Sequence, residues 1–108
     1  MTVRELVDTL SYTPVCIPQP GREIHGGYIG DLLSWVMGNA QQDNAWITIM
    51  SNVNIAAVAS LADVAVIILA EGVALDEAVI ATAEAKEINI ISSSKPAFEI
   101  AVEISQYI

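Results

Sequence analysis

The sequence predicts an α/β domain built on a mostly parallel sheet of about four or five strands with helices on both faces. Three observations carry that expectation. From Trp46 to Tyr107, short apolar runs alternate with helix-length segments, the pattern of consecutive βαβ units. Val64-Ala65-Val66-Ile67-Ile68-Leu69-Ala70 is apolar without alternation, as a strand covered on both faces must be. The composition, 54% apolar with 6% aromatic residues, leaves an aliphatic core of Val, Ile, Leu and Ala. At 108 residues the chain has the size of one ordinary domain, residues 1–108, long enough to bury a core.

Each element follows from local chemistry. Thr2 with Glu5 three residues later is a capping box, and Val3, Leu6, Val7 and Leu10 fall on one face of a helix ending near Ser11. Pro14-Val15-Cys16-Ile17-Pro18 is a short strand fenced by prolines, which suits an edge or an end of a sheet. Glu23 to Ile29 reads as extended, with Gly26-Gly27 marking a bulge or a close backbone approach. Asp31 then offers an N-cap for a helix over Leu32 to Ala40. Trp46 to Met50 is a strand, and Ser51 or Asn52 caps a helix whose apolar face is Ile55, Val58, Ala59 and Ala62. Glu71-Gly72 breaks the central strand before an alanine-rich helix over Leu75 to Lys86. Ile88 to Ile91 is the last strand, and Ser92 to Pro96 turns into a final helix from Ala97 to about Tyr107.

Charge and cysteine content exclude several function classes. Formal charge is −9, with only Arg4, Arg22, Lys86 and Lys95 positive, so nucleic acid and anionic membranes are repelled. The apolar stretch Ile55 to Ala70 is interrupted by Ser60 and Asp63 and is shorter than the roughly 20 residues that span a bilayer. Met1 to Asp8 is charged and does not read as a signal peptide, and the lone Cys16 suits a reducing compartment, so a cytoplasmic location is expected. Cys16, in an apolar run, reads as a small buried hydrophobe. No Gly-x-x-x-x-Gly-Lys-Ser/Thr motif occurs, so nucleotide-hydrolysing or kinase machinery is not expected. The carboxylates show no metal-binding spacing, and neither a metal nor a cofactor is indicated.

In a parallel sheet the crevice beyond the carboxyl ends of the strands is the default ligand site, because helix N-termini converge there. Four turns are expected at that edge: Gly30-Asp31, Ser51-Asn52, Glu71-Gly72 and Ser92-Ser93-Ser94. The candidate ligand-binding set is Gly26, Gly27, Gly30, Asp31, Thr48, Asn52, Asn54, Ser92, Ser93 and Ser94. Asp31, Asn52 and Ser94 are equally the residue types that helices take as N-caps, and Gly26-Gly27 equally supplies a bend. Arg22 and Lys95 are the cations near turns where a phosphate would use them. His25 is the only histidine, and no serine or Cys16 shows a nucleophile motif. Of the two tryptophans, Trp35 is the better candidate for a dimer contact if exposed.

Gly26-Gly27-Tyr28-Ile29-Gly30-Asp31-Leu32-Leu33-Ser34-Trp35, Ala45-Trp46-Ile47-Thr48-Ile49-Met50 and Asn52-Val53-Asn54-Ile55-Ala56-Ala57-Val58-Ala59 resemble the DRTGG domain family. These are small α/β modules found beside the kinase domain of some HPr kinases, between CBS modules in some pyrophosphatases, and as stand-alone proteins. The resemblance spans nearly the whole chain. Arg22-Glu23-Ile24-His25-Gly26-Gly27 stands where the five-residue signature is expected, and the signature itself is not there. The resemblance implies a fold like the N-terminal domain of HPr kinase and a regulatory role. It also implies a nucleotide or other phosphorylated metabolite as ligand. The leading expectation is therefore a non-catalytic, ligand-sensing homodimer. The alternative is an interaction subunit docking on a larger enzyme or regulator. The third is a small enzyme with Asp31 or His25 as acid/base group beside Asn52 and Asn54.

Overall fold

The computed structural model describes residues 1–108. In chain order the elements are α1 (Val3–Leu10), β1 (Thr13–Cys16), β2 (Gly27–Ile29), α2 (Leu33–Asn39) and β3 (Ala45–Thr48), then α3 (Asn54–Ala62), β4 (Val66–Leu69), α4 (Glu77–Ala85), β5 (Ile90–Ser92) and α5 (Ala97–Ile104). The strands form one sheet in the order β1-β5-β4-β3-β2. β2, β3, β4 and β5 run parallel, with Tyr28 opposite Trp46, Trp46 opposite Ile67 and Ile67 opposite Ile90. β1 closes one edge, antiparallel to β5, and its register slips between Pro14 and Cys16. The prolines do there what proline does in sheets, confining the strand to an edge.

Two cores lie on the two faces of the sheet. Ile47, Val66, Ile68 and Ile91 point toward α1 and α5 and pack with Val3, Leu6, Ile100 and Ile104. Trp46, Ile67, Leu69 and Ile90 point the other way and pack under α2, α3 and α4. β3 and β4 are buried at every position, as parallel strands sandwiched between helices must be. The capping box of α1 is formed: Glu5 N–H donates to Thr2 Oγ1 at 3.1 Å and Thr2 N–H donates to Glu5 Oε1 at 3.0 Å.

Three helix starts differ from expectation. The N-cap position of α2 is Leu32, and Asp31 instead accepts from Thr48 Oγ1 at 2.8 Å and from Ile49 N–H at 3.0 Å. Thr48 is 2% exposed, so its hydroxyl needs a partner inside the protein, and Asp31 is the acceptor in reach. Asn52 lies one residue before the α3 cap, Val53, and its Oδ1 takes the Asn54 N–H at 2.9 Å, an Asx turn leading into the helix. Pro96, not Ser94, holds the cap position of α5, while Ser93 Oγ takes the Lys95 N–H at 3.1 Å. α5 also ends sooner than expected, at Ile104, and the chain continues as a turn in which Tyr107 N–H meets Ile104 C=O at 2.9 Å.

A polar network ties α5 to the first core. Tyr12 O–H donates to Glu103 Oε1 at 2.8 Å, and Lys95 Nζ pairs with Glu103 Oε2. Burial, reinforced by the Glu103 carboxylate, pushes the Tyr12 phenol above its usual range. Lys95 and then Tyr12 hold the Glu103 carboxyl below its usual value. A depressed carboxyl pKa gives stability that is present above the unfolded value near 4.5 and is lost as pH falls through the folded one. A raised phenol pKa gives stability that is present below 10.0 and is lost as pH rises through the folded value. Urea unfolding of the Glu103→Gln variant from pH 3 to 7 is therefore expected to show lower stability at neutral pH and a shallower decline into acid than wild type. Parallel curves would remove Glu103 from the acid response.

Candidate functional site

The parallel run of β2 to β5 brings Gly30-Asp31, Ile49 to Asn52, Glu71-Gly72 and Ser93-Ser94 to one edge of the sheet. Gly30, Asp31 and Thr48 are adjacent there, with Asn52 on the loop that follows β3 and Asn54 at the start of α3. Ser92, Ser93 and Ser94 belong to the same edge but lie two strand positions from β3 and three from β2, about 10 and 14 Å by strand spacing. Between the two groups stands the end of β4. Because α4 covers one face and α5 the other, the opening between β4 and β5 is the expected crevice. It is bridged by backbone: Glu71 N–H to Lys95 C=O at 2.9 Å, Gly72 N–H to Ser93 C=O at 2.9 Å, and Ser93 N–H to Leu69 C=O at 2.9 Å. Of the polar side chains at this edge, Asp31, Thr48, Asn52 and Ser93 are engaged within the protein.

The two cations expected to serve a phosphate are also occupied. Arg22 Nη2 donates to Asp43 Oδ1 at 3.0 Å, to Asp63 Oδ1 at 2.8 Å and to Asp63 C=O at 2.6 Å. Burial opposes the guanidinium charge, and the two aspartates more than offset it, so its pKa stands above the usual value. Asp43 precedes β3 and Asp63 precedes β4, so Arg22 sits at the amino-terminal edge of the sheet, opposite the predicted site. Lys95 is held by Glu103. His25 precedes β2 and Asp31 follows it, which separates them by roughly 15–20 Å of extended chain, so His25 lies away from the edge that holds Asp31, Asn52 and Asn54. Cys16 is buried with Sγ 3.4 Å from Ile88 C=O, and burial, with Glu84 nearby, pushes its thiol up to about 11, away from reactivity. No three His, Cys, Asp or Glu side chains converge as a metal site would require. No helix is long and apolar enough to cross a membrane.

A concave surface lies elsewhere, along the free side of β2. It is a groove of about 300 Å³ between Gly26–Ile29 and the end of the chain, at Ile104 of α5 and at Ser105 and Ile108 beyond it, with Ile47 at its base. The two glycines have different reasons to be there. Gly26 has φ +73°, in the left-handed region, and a Cβ on it would stand 3.1 Å from Asn44 Nδ2. Asn44 is buried and fixes this bend, donating from Nδ2 to His25 C=O at 2.9 Å. A Cβ on Gly27 would stand 3.4 Å from Ala45 C=O and 3.5 Å from Ile108 Cδ1, so this glycine leaves the floor of the groove open. Of the ten predicted ligand residues only Gly26 and Gly27 line the groove; Gly30, Asp31, Thr48, Asn52, Asn54, Ser92, Ser93 and Ser94 do not. The α5 contribution was missed. Ala101 and Ile104 share one stripe of α5, but which strand that stripe crosses is a tertiary fact.

Comparison with known proteins bears on the fold and the family. No curated protein matches the chain. The crystal structure of the CBS and DRTGG domains of the regulatory region of Clostridium perfringens pyrophosphatase, complexed with its activator diadenosine tetraphosphate, has the same fold. The TM-score is 0.72 at 18% sequence identity, over 97% of this chain and 46% of that one. This chain thus spans about half the length of that regulatory region. The family model described as the DRTGG domain matches residues 33–107, from the first turn of α2 through α5, and the chain belongs to the DRTGG domain family.

Proposed function

We propose that this DRTGG domain is a non-catalytic regulatory module that senses a small ligand and works as a homodimer. The observation that carries the reading is the groove over Gly26-Gly27, concave, mostly apolar and at the lower end of the size of ligand pockets. The ligand class is a nucleotide or another phosphorylated metabolite. The similar pyrophosphatase region was solved with a dinucleotide activator, which supports that class. With Arg22 and Lys95 both paired, the uncharged part of the ligand occupies the groove and the phosphate stays toward solvent. The residues Gly30, Asp31, Thr48, Asn52, Asn54 and Ser92 to Ser94 form the competing seat at the carboxyl edge.

Backbone amide NMR during titration with AMP, ATP and a sugar phosphate tests this. Shifts are expected at Gly26 to Ile29 and Ala101 to Ile108, and Ser105→Trp, which fills the rim, is expected to weaken binding at least tenfold. Shifts confined to 30–31, 48–54 and 92–94 would move the seat to the carboxyl edge. No shift with any of the three would overturn ligand sensing of this class.

A second reading, docking on a larger enzyme, is favoured by the exposed apolar residues around α2. Leu32 is 67% and Trp35 62% exposed, with Ile49 and Val53 also exposed nearby in the fold. Such side chains serve as anchors when a partner covers them.

A further inference from the structure

The two edges of the sheet are unlike. β1 is guarded by Pro14 within it and Pro18 just after it, and by the slip in its register, devices that discourage another strand from adding. β2 has none of them. Gly27-Tyr28-Ile29 contains no proline and no charge, and it is hydrogen-bonded only to β3. Gly26 C=O accepts from Ala45 N–H at 2.9 Å and Gly30 N–H donates to Ile47 C=O at 3.2 Å. Residues 26, 28 and 30 therefore turn their peptide groups toward β3, and alternation leaves those of Gly27 and Ile29 facing out. Ile29 is 51% exposed beside them. In a chain with 13 acidic residues, Ile24 to Gly30 contains none, so this is a stretch where two copies of charge −9 meet without opposing carboxylates.

We propose that a second copy of this chain adds to that edge, β2 against β2, antiparallel and centred on Tyr28, so that the two sheets become one. This rests on the homodimer reading above and names its surface. In an antiparallel pair, residues whose peptide groups face the neighbour form the hydrogen-bonded pairs and the residues between them form the non-hydrogen-bonded pairs. Centring on Tyr28 pairs Gly27 of each copy with Ile29 of the other and supplies about four backbone hydrogen bonds.

The same register places side chains. Residues two apart share a face, so Ile29 of the second copy stands over Gly27, where there is no side chain. The groove is the hole for that knob, and the two-fold repeats the fit. A larger residue at 27 would fill it, since even a Cβ there comes within 3.5 Å of Ile108 Cδ1. The second copy also supplies the wall that the groove lacks along the open edge. The part against Ala101, Ile104 and Ser105 remains as the ligand seat.

Multi-angle light scattering and oxidative cross-linking of the full chain test the pairing without added ligand. Wild type is expected at twice the 11.5 kDa chain mass, and Ile29→Lys, at a half-exposed position, is expected to weaken the dimer at least tenfold. Tyr28→Cys is expected to cross-link to itself, because a non-hydrogen-bonded antiparallel pair holds its Cα atoms about 4.5 Å apart, within disulfide reach. Leu61→Cys, 72% exposed at the end of α3, is expected not to. Circular dichroism melts confirm that each variant is folded. A monomeric wild type would overturn both the homodimer and this surface. A dimer unmoved by Ile29→Lys and silent in the Tyr28→Cys cross-link would leave the homodimer standing and overturn the β2 pairing alone.

Discussion

Trp46→Ala is expected to remove about 4 kcal/mol of folding stability, the largest loss of any single truncation in this chain. Trp46 is 0% exposed at the middle of the second core, and its indole Nε1–H donates to Gly30 C=O at 2.9 Å. Alanine leaves a cavity the size of the ring system between the sheet and its helices. It also strands the Gly30 carbonyl, which adds roughly 1–2 kcal/mol if water cannot reach it. Against a typical total of about 5–15 kcal/mol the variant retains little margin, and its melting temperature falls by roughly 15–30 °C. Urea unfolding followed by far-ultraviolet circular dichroism measures this. Trp46→Phe separates the contributions: it keeps most of the buried area and loses the hydrogen bond, so a drop of about 2 kcal/mol is expected. The hydrogen bond also reaches beyond the core. Gly30 is where β2 passes into the Asp31 turn, so loosening it disturbs the groove and the carboxyl edge together. A loss under about 1.5 kcal/mol for the alanine variant would mean that the core collapses around the site, contrary to this account.

The elements that the sequence made legible are those with local causes. The unbroken apolar run at Val64 to Ala70 marks the central strand because burial on both faces needs no polar residue anywhere along it. The capping box marks the start of α1, and the prolines mark β1 as an edge. The side-chain partners of the site were not legible, because they depend on which strands are neighbours. Asp31 has the composition of an N-cap, yet β2 lies beside β3, and there a threonine hydroxyl and a backbone amide reach it first. Arg22 sits in a turn that suggests a phosphate, yet the strand order brings Asp43 and Asp63 to it. The groove needs α5 to cross β3, and nothing in the period of α5 specifies which strand it crosses. Gly26 and Gly27 line the groove, and the polar residues Asp31, Thr48, Asn52 and Ser93 bond within the carboxyl edge of the sheet.

Arg22→Met is the second large expectation, a loss of about 2 kcal/mol, where removing one partner from a fully buried pair costs about 3–5. The discount reflects exposure: the Arg22 side chain is 21% exposed and that of Asp63 51% exposed. Methionine keeps much of the volume and none of the charge, so the aspartates and the Asp63 carbonyl are left facing one another without a donor. Both aspartates hold left-handed backbone, φ 67° at Asp43 and φ 58° at Asp63, so the guanidinium also pins two turns that have an intrinsic cost. Asp63→Asn in the Arg22→Met background removes part of the repulsion and is expected to recover about 1 kcal/mol, which additive substitutions would not do. Raising salt narrows the gap between wild type and Arg22→Met, because the half-exposed side of the cluster is screened. The local consequence is sharper than the global one. Arg22 is the peg that holds the segment leading into Gly26 and Gly27 against the turns before β3 and β4. Amide exchange at residues 22–27 is therefore expected to accelerate more than exchange in β4. Equal acceleration everywhere would mean that Arg22 supports the fold at large and does not position the floor of the groove.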